Sequence, residues 1–271
     1  MEFDLIQKYF IRPASHPSIV LGNGDDCALL HSDQTLAFST DTLVEGTHFL
    51  KDKITPADLG YRALAVNISD LSAMGAKPLA FLLSITLPEL NEAWLTEFSN
   101  GLFSWDLDLI GGNTTCGPLA ITIHIIGELP KGKSLNRSNA KLDDDIYVTG
   151  TLGLAPVRPI SRIQFAQGLL DLAHAAIDIS DGLTQDLAHI LNASKLGGVL
   201  NIKSIPGRDF HLGEDYELCF TAPSKNRELI AAWAKKTKTP LALVGQIVAE
   251  PGLREAINNT PIPTRGYQHF T

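Results

Sequence analysis

The amino-acid sequence predicts an α+β protein of two domains, an N-terminal mixed sheet with helices over residues 1–135 and a C-terminal α/β domain over 136–271. Three observations point there. The 271 residues are 44% apolar and 19% charged, enough to fill two ordinary cores without disulfide or metal staples. The first half is strand-rich with two main helices, whereas apolar strands and amphipathic helices alternate in the second. Between the halves, residues 131–145 are polar and aperiodic, which places the joint there.

In chain order, Phe3, Leu5, Ile6, Tyr9 and Phe10 recur at helical spacing until Pro13 and Pro17 break the pattern. A loop, Gly22-Asn23-Gly24-Asp25-Asp26, leads into two short apolar runs, 27–30 and 35–39. They read as a hairpin whose second arm delivers Thr40 and Asp41. Thr55-Pro56-Ala57-Asp58 starts a helix, with Thr as cap, Pro in the first position and an acid in the first turn. This helix should run to Gly75 and carry Asn67 and Asp70, three apart, on one side. A strand over 79–87, a helix over 91–104, a strand over 107–110 ending at Gly111-Gly112 and a long β-branched strand over 119–127 complete this half. Beyond the joint, strands over 146–149, 175–179, 216–221 and 241–247 alternate with helices near 162–174, 181–193 and 225–236.

Composition excludes several classes of function. With 22 scattered basic residues against 30 acidic ones, the formal charge of -8 disfavours a nucleic-acid partner. A polyphosphate ligand would need cations beside it. Cys27, Cys116 and Cys219 are odd in number, far apart and set in or beside apolar runs, which suits a reducing cytosol; Cys27 reads as a core thiol. Neither C-x-x-C nor H-E-x-x-H occurs, so zinc is not expected. The start Met1-Glu2-Phe3-Asp4 lacks the basic residues of a signal peptide, and no apolar run reaches membrane-spanning length, so a cytoplasmic location is expected. G-x-x-x-x-G-K-S/T, a kinase H-R-D loop and G-x-S-x-G are all missing.

The chemistry-bearing pattern is a series of carboxylates at the ends of apolar runs: Gly24-Asp25-Asp26, Ser39-Thr40-Asp41-Thr42, Asn67-Ile68-Ser69-Asp70 and Asp178-Ile179-Ser180-Asp181-Gly182. Each has an ordinary explanation as a turn, strand end or helix cap. Asp70 resists it, because it sits late in an apolar helix where the macrodipole disfavours an anion. Asp178, on a buried strand just before a helix, sits where amides and carboxylates meet phosphate and metal. Converging carboxylates repel unless hard cations join them, which points to Mg²⁺ and phosphate chemistry. Gly111-Gly112-Asn113-Thr114-Thr115 is a weaker phosphate-loop candidate, and Gly213-Glu214-Asp215-Tyr216-Glu217 places acids at a strand edge. Arg137 at the joint could grip a triphosphate or equally be surface; His48 in a flexible stretch could contact a substrate phosphate, although spacing alone favours a solvated His.

In the order G-x-G-D-D, S-T-D, N-x-S-D-L-x-A-M-G-A, L-I-G-G-x-T-T, D-x-S-D-G-L and G-E-D-Y-E-L, the sequence resembles the thiamine-monophosphate kinases of the aminoimidazole ribonucleotide synthetase superfamily, from Phe3 to the terminal Gly266-Tyr267-Gln268-His269-Phe270. The resemblance implies N-terminal domains paired as a dimer-forming β-barrel, an α/β C-terminal domain, and ATP with several Mg²⁺ ions between them. By motif, Asp26, Ser39, Thr40, Asp41, Asp70, Asp178 and Asp181 would be metal ligands. Gly112, Arg137 and Ser180 would touch ATP, and His48 and Glu214 thiamine monophosphate. The implied reaction is direct phosphoryl transfer between two phosphates, with no general base. Three departures stand out. Asn113 occupies a position where the family has a metal-binding Asp, and Thr264 stands where an aromatic is expected over the substrate. The chain is also short around 104–106, where a Tyr that contacts ATP is missing, and around 153–158 and 207–211, which reads as omitted segments. Selenophosphate synthetases and the hydrogenase maturation protein of the same superfamily call for terminal cysteine motifs, and the ends Met1-Glu2-Phe3 and His269-Phe270-Thr271 lack them. A catalytically weakened nucleotide-binding homologue is the remaining alternative, motivated by Asn113 and Thr264.

Overall fold

The computed structural model describes residues 2–268, and the sequence features read at Met1 and at 269–271 lie outside them. Helix α1 (Glu2–Tyr9) opens the chain, and β1 (Ile19–Leu21) pairs with β2 (Leu29–Leu30) in a small antiparallel ribbon. Strand β3 (Thr35–Val44), helix α2 (Pro56–Met74), β4 (Lys77–Leu87), α3 (Glu92–Leu102), β5 (Asp108–Cys116) and β6 (Ala120–Leu129) follow. Their sheet has the order β3-β6-β4-β5, with β4 and β5 parallel and the other pairs antiparallel. These elements form one unit, made of the residues up to Leu71 together with Lys77–Gly132.

Local sequence explains α2. Thr55 Oγ1 accepts the Asp58 N–H at 3.1 Å, Pro56 occupies the first helical position, and Gly75 ends the helix at φ +73°. Its path is fixed by backbone contact with α3. A Cβ on Gly60 would stand 2.1 Å from Phe98 O, and one on Gly101 1.8 Å from Ala57 O, so only glycine lets the helices approach this closely. The sheet presents Phe81, Leu83, Ile85, Ile121, Ile123 and Ile125 as a buried face. Ser39, Asp41 and Leu43 pair with Ile125, Ile123 and Ile121, so alternation puts them on that same face.

Four expectations for this unit need correction. The hairpin between 27–30 and 35–39 does not form: β2 pairs with β1 and β3 with β6. Ser32 instead donates to Glu128 Oε1 at 2.7 Å and accepts the Gln34 N–H at 3.0 Å, anchoring the connection to β6. Cys27 is exposed and Leu29 is 52% exposed, so Cys27 is no core thiol; alternation turns only Ala28 and Leu30 of this run onto the cluster of Leu79, Ala80, Ile110 and Ile126. Strand β3 continues past Ser39, placing Thr40 and Asp41 within it, and β5 continues through Gly111 and Gly112, so the proposed phosphate loop is extended strand.

The other unit comprises Ser72–Ala76 and the chain from Lys133 onward. Strands β7 (Asp144–Thr149), β8 (Ala175–Ile179), β9 (Gly197–Leu200), β10 (Glu217–Pro223), β11 (Leu241–Val248) and β12 (Gly252–Glu255) alternate with α4 (Ile163–Leu169), α5 (Leu183–Ser194) and α6 (Arg227–Lys236). The sheet order is β12-β9-β11-β7-β10-β8, antiparallel except between β12 and β9. Strand alternation splits its core in two. Ile177, Ile179 and Cys219 pack against Leu183, Leu187 and Ile190 of α5, whereas Ala176, Leu218 and Phe220 pack with Phe165 of α4 and Ile230 of α6. The polar joint read at 131–145 also changes character. Asp144 and Asp145 are buried in β7, where Asp144 pairs with His174 at 2.9 Å and Asp145 accepts from Nε and Nη2 of Arg227, each at 2.6 Å. No described helix is long and apolar enough to cross a membrane.

Candidate active site

In the first unit, α2 and β3 bring three of the sequence-marked residues together. Ser39 Oγ donates to Asp70 Oδ2. Burial, and then the charge of Asp70, push the Asp41 carboxyl up from 3.8 to about 7. One turn before Asp70, Asn67 is fully buried; its Nδ2 donates to Ala63 O at 2.9 Å, while Oδ1 has no hydrogen-bond partner. Thr40 alternates to the opposite, exposed face, so its hydroxyl does not join this group. Among the described residues no three His, Cys, Asp or Glu side chains assemble a metal-holding group.

A cavity of about 840 Å³ lies elsewhere in this unit, walled by Phe10, Ile11, Leu109 and Ile126 and bordered by Asp26, Gly112 and Asn113. Asn23 Nδ2 donates to Leu109 O at 2.6 Å, fastening the acidic loop to β5, while Asp25 Oδ1 accepts the Asp26 N–H at 2.9 Å. Asp26 and Asn113 are exposed at its border. Gly112 is required here: a Cβ would lie 1.9 Å from Leu83 O. His48 is held rather than loose. Its Nδ1 accepts the Val44 N–H at 3.0 Å, which leaves Nε2 to carry the ring proton as a donor.

In the second unit, Ser180, Asp181 and Glu214 lie at the turn from β8 into α5, and Asp178 lies two residues before that turn, within the strand. Asp178 is buried on β8, an edge strand of its sheet. Glu214 N donates to Ser180 O at 2.7 Å, and a Cβ on Gly182, at φ +117°, would lie 2.4 Å from His211 O. Gln185 Nε2 donates to Asp181 Oδ2 at 3.1 Å and to Tyr267 O at 3.0 Å. Arg137 lies exposed in a single 3₁₀ turn, Arg137–Asn139, whose Arg137 carbonyl accepts from Ser194 Oγ at 2.9 Å.

Sequence reasoning missed Asp186. Its carboxylate accepts the N–H groups of Asp181 and Gly182 at 3.0 and 3.1 Å, and burial pushes its pKa up to about 7 against those bonds. An acid in the first turn of a helix was the available signal.

Comparison with known proteins bears on both units. The AIR synthase related protein family matches twice, its N-terminal domain over residues 24–129 and its C-terminal domain over 140–258. Thiamine-monophosphate kinase of Salmonella typhimurium is 44% identical over 319 aligned positions, covering 99% of this chain and 98% of that protein. The chain belongs to the thiamine-monophosphate kinase family.

The crystal structure of thiamine-monophosphate kinase from Stenotrophomonas maltophilia K279a superimposes with a TM-score of 0.85 at 34% identity, over 90% of this chain and 93% of that one. AaThiL complexed with AMPPCP and TMP shares the fold, with a TM-score of 0.77 at 24% identity over 89% of each chain. Residues 153–158 form no helix before α4.

Proposed function

We propose that this chain transfers the γ-phosphoryl group of ATP to the phosphate of thiamine monophosphate, giving thiamine diphosphate and ADP. The observation that carries this is 44% identity to a thiamine-monophosphate kinase along nearly the whole of both chains. A fold neighbour complexed with AMPPCP and TMP supports a two-ligand reading. The bond from the γ-phosphorus to the bridging oxygen breaks, and an oxygen of the acceptor phosphate forms the new one. That acceptor is largely ionised near neutrality, since its second pKa lies at about 6, so no base has to take a proton.

The donors beside Asp41 fit Mg²⁺. They are oxygens only, two of them carboxylates; burial first, and then the charge of Asp70, holds a proton on Asp41, and a hard cation beside both would offset that cost. Asp26, Ser39, Thr40, Asp41, Asp70, Asp178 and Asp181 would hold several such ions, with Thr40 contributing its backbone oxygen. Bound Mg²⁺ supplies positive charge against the two phosphates. Gly112 lets the backbone approach ATP, and Arg137 and Ser180 bind it. His48 and Glu214 contact thiamine monophosphate. The domain assignment 1–135 and 136–271, with ATP and metal on the first, belongs to this reading. So does a homodimer through the N-terminal sheet, supported by the exposed Phe38, at 69%, beside Thr40 and Thr42 on one face of β3. Free, exposed thiols at Cys27 and Cys116 suit a reducing cytoplasm.

A coupled assay for ADP with thiamine monophosphate tests the activity. Release should require both the acceptor and Mg²⁺; ligand binding without release would refute it. The exposed amide of Asn113 favours a second reading, a weakened enzyme. If so, Asn113→Asp raises turnover and lowers the Mg²⁺ needed for half-maximal rate; unchanged values dismiss it.

A further inference from the structure

Glu214 and Tyr216 both adopt left-handed backbone, at φ +67° and +53°, on either side of the buried Asp215. Non-glycine residues rarely take this conformation, and two so close persist only where the surroundings over-determine them. Asp215 supplies much of that determination. Its Oδ2 accepts the Gly153 N–H at 2.6 Å, and its Oδ1 accepts Leu154 and Ala155 at 2.9 and 3.0 Å. Two further bonds fix the flanks, Glu214 N to Ser180 O at 2.7 Å and Tyr216 N to Ile179 O at 2.9 Å. Two residues on, Glu217 is gripped by both Arg162 Nε and Nη2 at 2.6 Å, with Thr149 Oγ1 donating at 2.6 Å.

The acids at 215 and 217 are thus buried and fastened by these bonds, and the acid at 214 is exposed, with its backbone bonded to the Ser180-Asp181 turn. We propose that Asp215 is a positioning residue: by clamping residues 153–155 to the segment 214–216, it sets the direction of Glu214 and thereby the enzyme's affinity for the phosphate acceptor. This rests on the reading of Glu214 as a contact to thiamine monophosphate. Loosening the clamp should change recognition of that ligand and leave ATP alone.

The test measures KM for both substrates in the full chain for Glu214→Gln, Asp215→Ala, Asp215→Asn and the Glu214→Gln/Asp215→Ala pair, with melting temperatures alongside. Asp215→Ala should raise KM for thiamine monophosphate about tenfold and change KM for ATP less than about twofold. Asp215→Asn, which keeps one acceptor oxygen but turns an amide donor toward a backbone N–H, should raise it about threefold. The double variant should be no worse than Glu214→Gln, because Asp215 acts through Glu214. If Asp215→Ala does not fold, the Asn variant decides by the same split. Equal losses for both substrates, or additive effects in the double variant, overturn the proposal. An unchanged acceptor KM in Asp215→Ala while Glu214→Gln raises it refutes the clamp alone; no effect in Glu214→Gln refutes the acceptor contact and the clamp with it.

Discussion

At Asp41 the cost of burying one carboxylate near another is visible as a proton held to about pH 7. Folded, this group keeps its proton up to about 7; unfolded, it loses it at 3.8. The proton-bound advantage is full below pH 4 and is lost as pH rises to 7, so the Mg²⁺-free protein should lose on the order of a few kcal/mol of stability across that interval. Asp186, raised to about 7 by its own burial, adds a loss of the same sign. Chemical denaturation between pH 4 and 8 in EDTA should show the decline, and Asp41→Asn should flatten part of it. The same variant, or Asp70→Asn, should lower turnover by roughly 10²–10³-fold while its Mg²⁺-free melting temperature stays level or rises. A collapse of melting temperature would mean that the carboxylates hold the fold instead. The sequence displayed Asp41 and Asp70 because each closes an apolar run, and their juxtaposition with Ser39 follows from strand and helix periodicity. Asp186 escaped because an acid in a first helical turn is ordinary until its backbone partners are seen.

Among the elements, α2 matters most because it carries Asp70 and is located by contact with α3 at Gly60 and Gly101. Neither glycine stands out in the sequence, where both lie inside helices and read only as mild breakers. Yet a methyl group at Gly101 would overlap Ala57 O, at 1.8 Å, and must push the helices apart. Gly101→Ala should therefore cost about 1–3 kcal/mol in denaturant unfolding and lower activity more than its stability loss explains, since Asp70 moves with α2. Gly22→Ala serves as a control: its added Cβ would meet nothing nearer than 3.8 Å, and both quantities should stay near wild type. Periodic elements such as α2 and β8 were legible at nearly their observed bounds. β9 and β12 were not, because both begin with glycine and carry too few side chains to show alternation. Pairing was hidden too: adjacency made 27–30 and 35–39 look like a hairpin, whereas β3 finds its partner some eighty residues later in β6.

For the molecule as a whole, charge sets the terms on which ligands bind. A chain of net charge -8 is asked to bring together two phosphorylated anions. Helix termini and backbone amides supply only partial charges, and the exposed guanidinium of Arg137 is one cation against several phosphate charges. Without divalent ions, repulsion from the acidic groups should keep ATP affinity low; with them, the same acids become the binding surface. ATP in EDTA should therefore leave the melting temperature within about 1 °C of the ligand-free value. Mg²⁺ with ATP should raise it by several degrees, in proportion to the logarithm of ligand concentration above the Kd. Calcium or added monovalent salt discriminates the cause. If general screening sufficed, about 0.3 M NaCl, with a Debye length below 8 Å, would restore the shift; if the carboxylates must be occupied, it would not. A full shift in EDTA would show that this acidic chain recognises the nucleotide through its own donors, and the roles of Asp26, Asp41, Asp70, Asp178 and Asp181 as cation ligands would fall together.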